Sequence, residues 1–157
     1  MKEIITPQEW IANWQGNRRL TRKVIAAFPE KELFEFSVGG MRPFAKLADE
    51  LVYHANAAIQ QITENKAIPL GEYEGYAGKT KAEILENWDK TTALIEKFAQ
   101  ETPQERYREV FNSFGMFNFP IIDNLIYLLE NEIHHRGQGY VYLRALNIEP
   151  PAFFDKN

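Results

Sequence analysis

Two short motifs, TPQE at residues 6–9 and TKAE at residues 80–83, constrain this chain more than anything else in it. Each is a capping box: the threonine hydroxyl accepts from the amide three residues on, and the glutamate carboxylate reaches back to the threonine amide. Pro7 strengthens the first, because the hydrogen it lacks would be unpaired at a helix start. Two helix starts are thus specified locally, ahead of any tertiary contact. The first helix carries Trp10, Ile11, Trp14, Val24, Ile25 and Phe28 and is expected to end near Pro29, which disfavours helix in the residue before it. The other carries Ile84, Leu85, Trp88, Ile95 and Phe98 and should stop before Thr102 and Pro103.

Two further segments have the same period. From Phe44 to Glu64 an apolar stripe runs through Phe44, Leu47, Leu51, Ala55, Ala58, Ile59 and Ile62. Pro120 suits the first turn of a last helix that ends near Asn147, ahead of Pro150 and Pro151. Four long amphipathic helices predict an all-α fold, a four-helix bundle of antiparallel helices with long connecting loops, in one domain over residues 1–157. Between the helices, residues 28–44 read as an aromatic-rich connection, and residues 65–79 as a Gly-rich turn region or small lid. In residues 106–120, Val110, Phe114, Phe117 and Phe119 alternate with polar residues, as in a short hairpin or an aromatic loop.

Composition narrows the chemistry. A chain of 157 residues that is 45% hydrophobic and 13% aromatic can bury a sizeable core without a cofactor. It has no cysteine, which excludes disulfides, thiolate metal sites and cysteine nucleophiles. A net charge of -4 gives nucleic acid no general footing. MKEIITPQEW lacks the basic and apolar regions of a signal peptide, and no later stretch approaches the roughly 18 apolar residues of a membrane helix. The expected setting is cytoplasmic, with neither membrane nor nucleic acid as partner.

The chain has three histidines, His54, His134 and His135. Adjacent helical residues point about 100° apart, so His134 and His135 must do different jobs. On the last helix Leu125, Leu129, Ile133, Tyr140 and Leu143 define an apolar arc, with Tyr127, Glu130 and His134 opposite. Asn131, His135 and Gln138 line the flank of that arc, much as His54 flanks the stripe of its own helix. Two imidazoles from different helices, with a polar group one turn before the second, suit a zinc, nickel or iron site in a bundle. They equally suit ordinary half-buried histidines with hydrogen-bond partners. Glu50, one turn before His54, is placed to orient that imidazole. Glu132 and Arg136, four apart inside the apolar arc, require partners: each other, Arg18, Arg19, Arg22 or Glu50, or a second subunit. These charges and the Phe-rich segment together predict a homodimer.

With an early helix of Trp and Arg residues, a lone histidine in FAKLADELVYHANAAI, and HHRGQ followed by YVYLRALNIEPP, the chain resembles the DinB family of damage-inducible-type bacterial proteins over nearly its whole length. The resemblance implies a four-helix bundle, often dimeric, with a divalent metal held by three histidines at one end. Carried over by position, two of those ligands are His54 and His135, and the third place holds Asn131. An amide carbonyl is a weaker, neutral ligand, so the metal should be weakly bound or absent. Two functions follow from the resemblance. One is a metal-dependent S-transferase joining a low-molecular-weight thiol to an electrophile, or a hydrolase; the other is a non-catalytic stress-response or interaction protein with a degenerate metal site.

Overall fold

The computed structural model describes residues 4–71 and 78–157. Helix α1 (Pro7–Ala27) is followed by a short α2 (Glu30–Glu35), then by α3 (Phe44–Glu64) and α4 (Lys81–Glu101). A 3-10 turn (Gln104–Arg108) leads into an antiparallel hairpin of β1 (Val110–Ser113) and β2 (Phe117–Pro120), and α5 (Ile121–Ala145) closes the chain. Both capping boxes form as the sequence predicts, with Thr6 paired to Glu9 and Thr80 to Glu83. The aromatic connection after α1 is not wholly irregular. Its EKELFE segment forms α2, which buries Leu33 and packs on α3. Of the expected lid loop, residues 72–77 lie outside the described residues.

The four long helices form a ring in which α1 packs on α4 and α5, and α3 packs on α4 and α5. Two apolar clusters fill it. One holds Trp10, Trp14, Ile59, Ile62, Ile95, Phe98, Leu125 and Leu129; the other holds Val24, Phe28, Phe44, Leu47, Trp88, Tyr142 and Leu143. Followed along the chain, α1 and α5 pass from the first cluster to the second, whereas α3 and α4 pass from the second to the first. The helices are therefore not alternately antiparallel: α1 and α5 run one way, α3 and α4 the other. The connection from α3 to α4 must return along the bundle. Its described ends show this, since Ile68 N–H donates to Gln61 near the end of α3, and Gly78 N–H to Asp49 near its start.

A belt of buried polar groups separates the two clusters. Glu132, 1% exposed, accepts from Trp14 Nε1 at 3.0 Å and Thr21 Oγ1 at 2.6 Å, with Arg18 at 3.8 Å and Arg136 at 3.9 Å. Arg136 donates to Asn17 and Thr21, and Arg18 lies 4.0 Å over the Trp88 ring while donating to Thr92 and the Trp88 carbonyl. Burial lowers the Arg18 guanidinium to about 10 against the pull of Glu132, which leaves it charged at neutral pH. Removing one member of such a network leaves a buried charge uncompensated, at a cost of roughly 3–5 kcal/mol. The charges in the last helix are thus satisfied within the chain and call for no second subunit. Ile133, placed by periodicity in the buried arc, is 45% exposed, because Glu132 and Arg136 occupy the inward face.

Candidate functional site

At the end of the bundle where α3 finishes and α5 begins, the hairpin leans against both helices. Its turn is closed by Met116 N–H donating to the Ser113 carbonyl at 3.0 Å, and the two central residues, Phe114 and Gly115, have φ of +56° and +71°. Glycine adopts such angles freely, whereas a Phe does so at a cost of roughly 1–3 kcal/mol and needs its surroundings to hold it. Gln61 does the holding. Its side chain is fully buried and accepts from Phe114 N–H at 2.8 Å and from Ile68 N–H at 3.0 Å, while its amide donates to Ala57 O. The Phe114 ring then stands edge-on to His54, with centroids 6.2 Å apart, and to Phe117 at 6.5 Å.

Between α3, the hairpin and α5 lies a pocket of about 430 Å³. Phe114, Phe117, Phe119 and Tyr127 wall it, and Phe117 and Tyr127 stack with 24° between their planes. The polar lining is His54, Ser113, Asp123 and Asn124. Asn124 uses its amide to hold the hairpin, donating to the carbonyls of Phe111 and Phe119. Ser113 is 3% exposed and its hydroxyl has no hydrogen-bond partner among the described residues. Burial lowers the His54 imidazole below 6.5; the Glu50 carboxylate raises it, and the charges of His135 and Arg42 lower it.

His135 stands elsewhere. It is buried between two oxygens, with Gln138 Oε1 3.2 Å from Nδ1 and Glu50 Oε1 3.1 Å from Nε2. Glu50 therefore hydrogen-bonds His135 across the α3–α5 interface and acts on His54 of its own helix through its charge, and it is paired with Arg42 as well. Burial raises the Glu50 carboxyl, but the hydrogen bonds and charges of Arg42 and His135 outweigh it and leave the group below its usual 4.5. Gln138 in turn donates to exposed His134 at 3.3 Å, so a chain of polar contacts runs Arg42, Glu50, His135, Gln138, His134. His134 does face outward and His135 inward, as the helical count requires.

Asn131 is half-buried one turn before His135. His54 and His135 lie on facing helices and feel each other's charge, yet no ring contact or hydrogen bond joins them among the described residues. Nor do the described residues contain a group of three or more His, Asp or Glu side chains able to hold a metal ion. The donor set does not fit a three-histidine centre. Where the resemblance implies a third imidazole there is the Asn131 amide, and Nε2 of His135 already faces the Glu50 carboxylate, which an ion binding that nitrogen would have to move, while Nδ1 faces Gln138.

What the sequence did not mark was the hairpin's part in the site. The alternation of Phe114, Phe117 and Phe119 was the available signal, but which aromatic faces inward depends on a turn that Gln61 and Asn124, on two different helices, help to hold in place. No helix among the described residues is long and apolar enough to cross a membrane.

Comparison with known proteins bears on the fold. The chain is similar, with a TM-score of 0.74 and 22% identity, to the crystal structure of a DinB-like protein from Bacillus cereus ATCC 10987, over 92% of this chain and 95% of that one. No curated protein matches. The model of the DinB family matches residues 1–155, which is nearly every element described above, from the first capping box to the tail beyond α5. With the sequence motifs, the bundle and the family model in agreement, the chain belongs to the DinB family.

Proposed function

We propose that this DinB-family chain is a ligand-binding bundle, cytoplasmic and homodimeric, whose working site is the pocket between α3, the hairpin and α5 and which works without a three-histidine metal centre. The observation that carries this reading is the pocket itself: about 430 Å³, walled by four aromatic rings, with a buried hydroxyl on Ser113 left unpaired among the described residues. Pockets of about 300–1,000 Å³ with apolar walls and a few convergent polar groups are the usual form of small-molecule sites. A buried hydroxyl without a partner costs roughly 1–3 kcal/mol, a cost that a bound polar group would recover. The strain at Phe114 is of the kind that collects at ligand sites. The dimer no longer rests on Glu132 and Arg136, which are satisfied internally. It rests on Tyr127, Ile133 and Val141, which α5 leaves exposed.

The test is binding of a small phenyl-bearing probe followed by the ring signals of Phe114, Phe117 and Tyr127 in NMR, on protein stripped of metal by a chelator. The expected result is saturable binding that the chelator leaves unchanged and that Phe117→Ala abolishes. Binding that appears only after a divalent ion is added back would overturn it.

A second reading has one observation in its favour, the placing of His54 and His135 on facing helices within reach of each other's charge. On that reading the chain binds zinc, nickel or iron weakly through His54, His135 and the Asn131 carbonyl, and acts as a transferase for a low-molecular-weight thiol and an electrophile, or as a hydrolase. For an ion to bind there, either Glu50 at Nε2 or Gln138 at Nδ1 would have to release His135.

A further inference from the structure

We propose that the ligand of this pocket is a primary ammonium carried on an apolar, ring-sized body; the proposal rests on the reading of the pocket as a binding site. Three features of the lining point the same way. Asp123 is its one formal charge among the described residues, and no Lys or Arg lines it. Asp123 is exposed at the start of α5, and none of the ion pairs formed by the described residues includes it. An organic cation seated there would gain a counter-ion, whereas a carboxylate would meet repulsion and find no cation to answer it.

The walls add to this. Phe114, Phe117, Phe119 and Tyr127 line it with aromatic rings, and a ring attracts an ammonium group that lies over its face within about 6 Å of the ring centre. They also cover an apolar body, as do Ala58, Leu70 and Leu128. The third feature is Ser113. Its buried hydroxyl oxygen is without a partner among the described residues and can accept an ammonium N–H, a role that a fully substituted ammonium would leave unfilled. Asp123 also suits the first turn of a helix, where a negative charge offsets the helix dipole, but that role needs no aromatic wall and does not account for Ser113.

Titration calorimetry on the full chain with three isosteric probes, 4-phenylbutylamine, 4-phenylbutyrate and 4-phenylbutanol, tests the assignment. The amine should bind about tenfold more tightly than the alcohol, and the carboxylate more weakly than either. Asp123→Asn should bring the amine down to the level of the alcohol while leaving the alcohol unchanged. Ser113→Ala should weaken the amine most, and the alcohol to a smaller degree because its O–H can also donate to that oxygen, and Phe117→Ala should weaken all three probes. Thermal melting confirms that each variant is folded. Equal binding of amine and alcohol, lost together in Phe117→Ala, would overturn the ammonium assignment and leave the pocket reading standing. So would an amine preference that survives Asp123→Asn. If the folded wild type binds none of the three, the pocket reading falls and the assignment falls with it.

Discussion

His54 is the residue on which sequence and structure meet most closely and still part. Helical spacing placed it on the flank of α3, half-buried, and the structure agrees. Spacing could not tell what it would face, because that depends on a hairpin more than fifty residues away, and the ring it meets is Phe114. Its environment predicts a titration. Burial disfavours the charged ring, so the NMR midpoint of His54 should fall below 6.5, and Glu50→Gln should lower it further by removing a charge that raises it. In the unfolded chain the ring takes its proton near 6.5. The folded protein takes the same proton only at lower pH, so this residue's contribution to stability is lost as pH falls from about 6.5 through the folded value. A midpoint at or above 6.5 would show that His54 is not buried as described. Glu50 shows the opposite limit of sequence reading: one turn before His54, it was placed to orient that ring, yet its carboxylate reaches across to His135. Neighbours along one helix were legible, and partners across two helices were not.

At the scale of the elements, the starts of α1 and α4 were legible because a capping box is a local reaction between side chains and amides. The six-residue α2 was not, since it is too short for periodicity to register. The facing of α5 was misjudged for a physical reason: an apolar-only count puts Ile133 inside, whereas the belt that binds Glu132 to Trp14, Thr21 and the two arginines turns the helix the other way. This facing explains the two glycines of HHRGQG. A Cβ on Gly139 would meet the Phe44 ring at 2.6 Å and Val24 at 3.0 Å, while one on Gly137 meets nothing within 4 Å. Gly139→Ala should therefore destabilise the fold by about 1–3 kcal/mol through overpacking of α5 against α3 and α1. Gly137→Ala should stabilise it by roughly 0.5–1 kcal/mol, as expected in an exposed helix interior. Chemical denaturation of the two variants checks the pair, and equal effects would contradict the packing of α5 described here.

For the whole molecule, the bundle was legible from four periodic segments, but their directions were not. Which helices neighbour one another is decided by how the two apolar clusters and the polar belt between them assemble, and the ring of α1, α4, α3 and α5 runs two helices each way. The same assembly sets the distance of His135 from His54 and brings Glu50 to His135, whose other nitrogen meets Gln138 on its own helix. The family fold is thus kept, with Asn131 at the place where the resemblance implies a third imidazole. Titration of zinc or nickel into the untagged protein, beside Asn131→His and His135→Ala, tests this most directly. The wild type should bind the ion too weakly for His135→Ala to remove much, while Asn131→His should bind about tenfold or more tightly, because it adds an imidazole one turn before His135 on the same helical face. Wild-type protein that binds the ion as tightly as Asn131→His, and loses that binding in His135→Ala, would contradict the account and make the metal centre the working site of the chain.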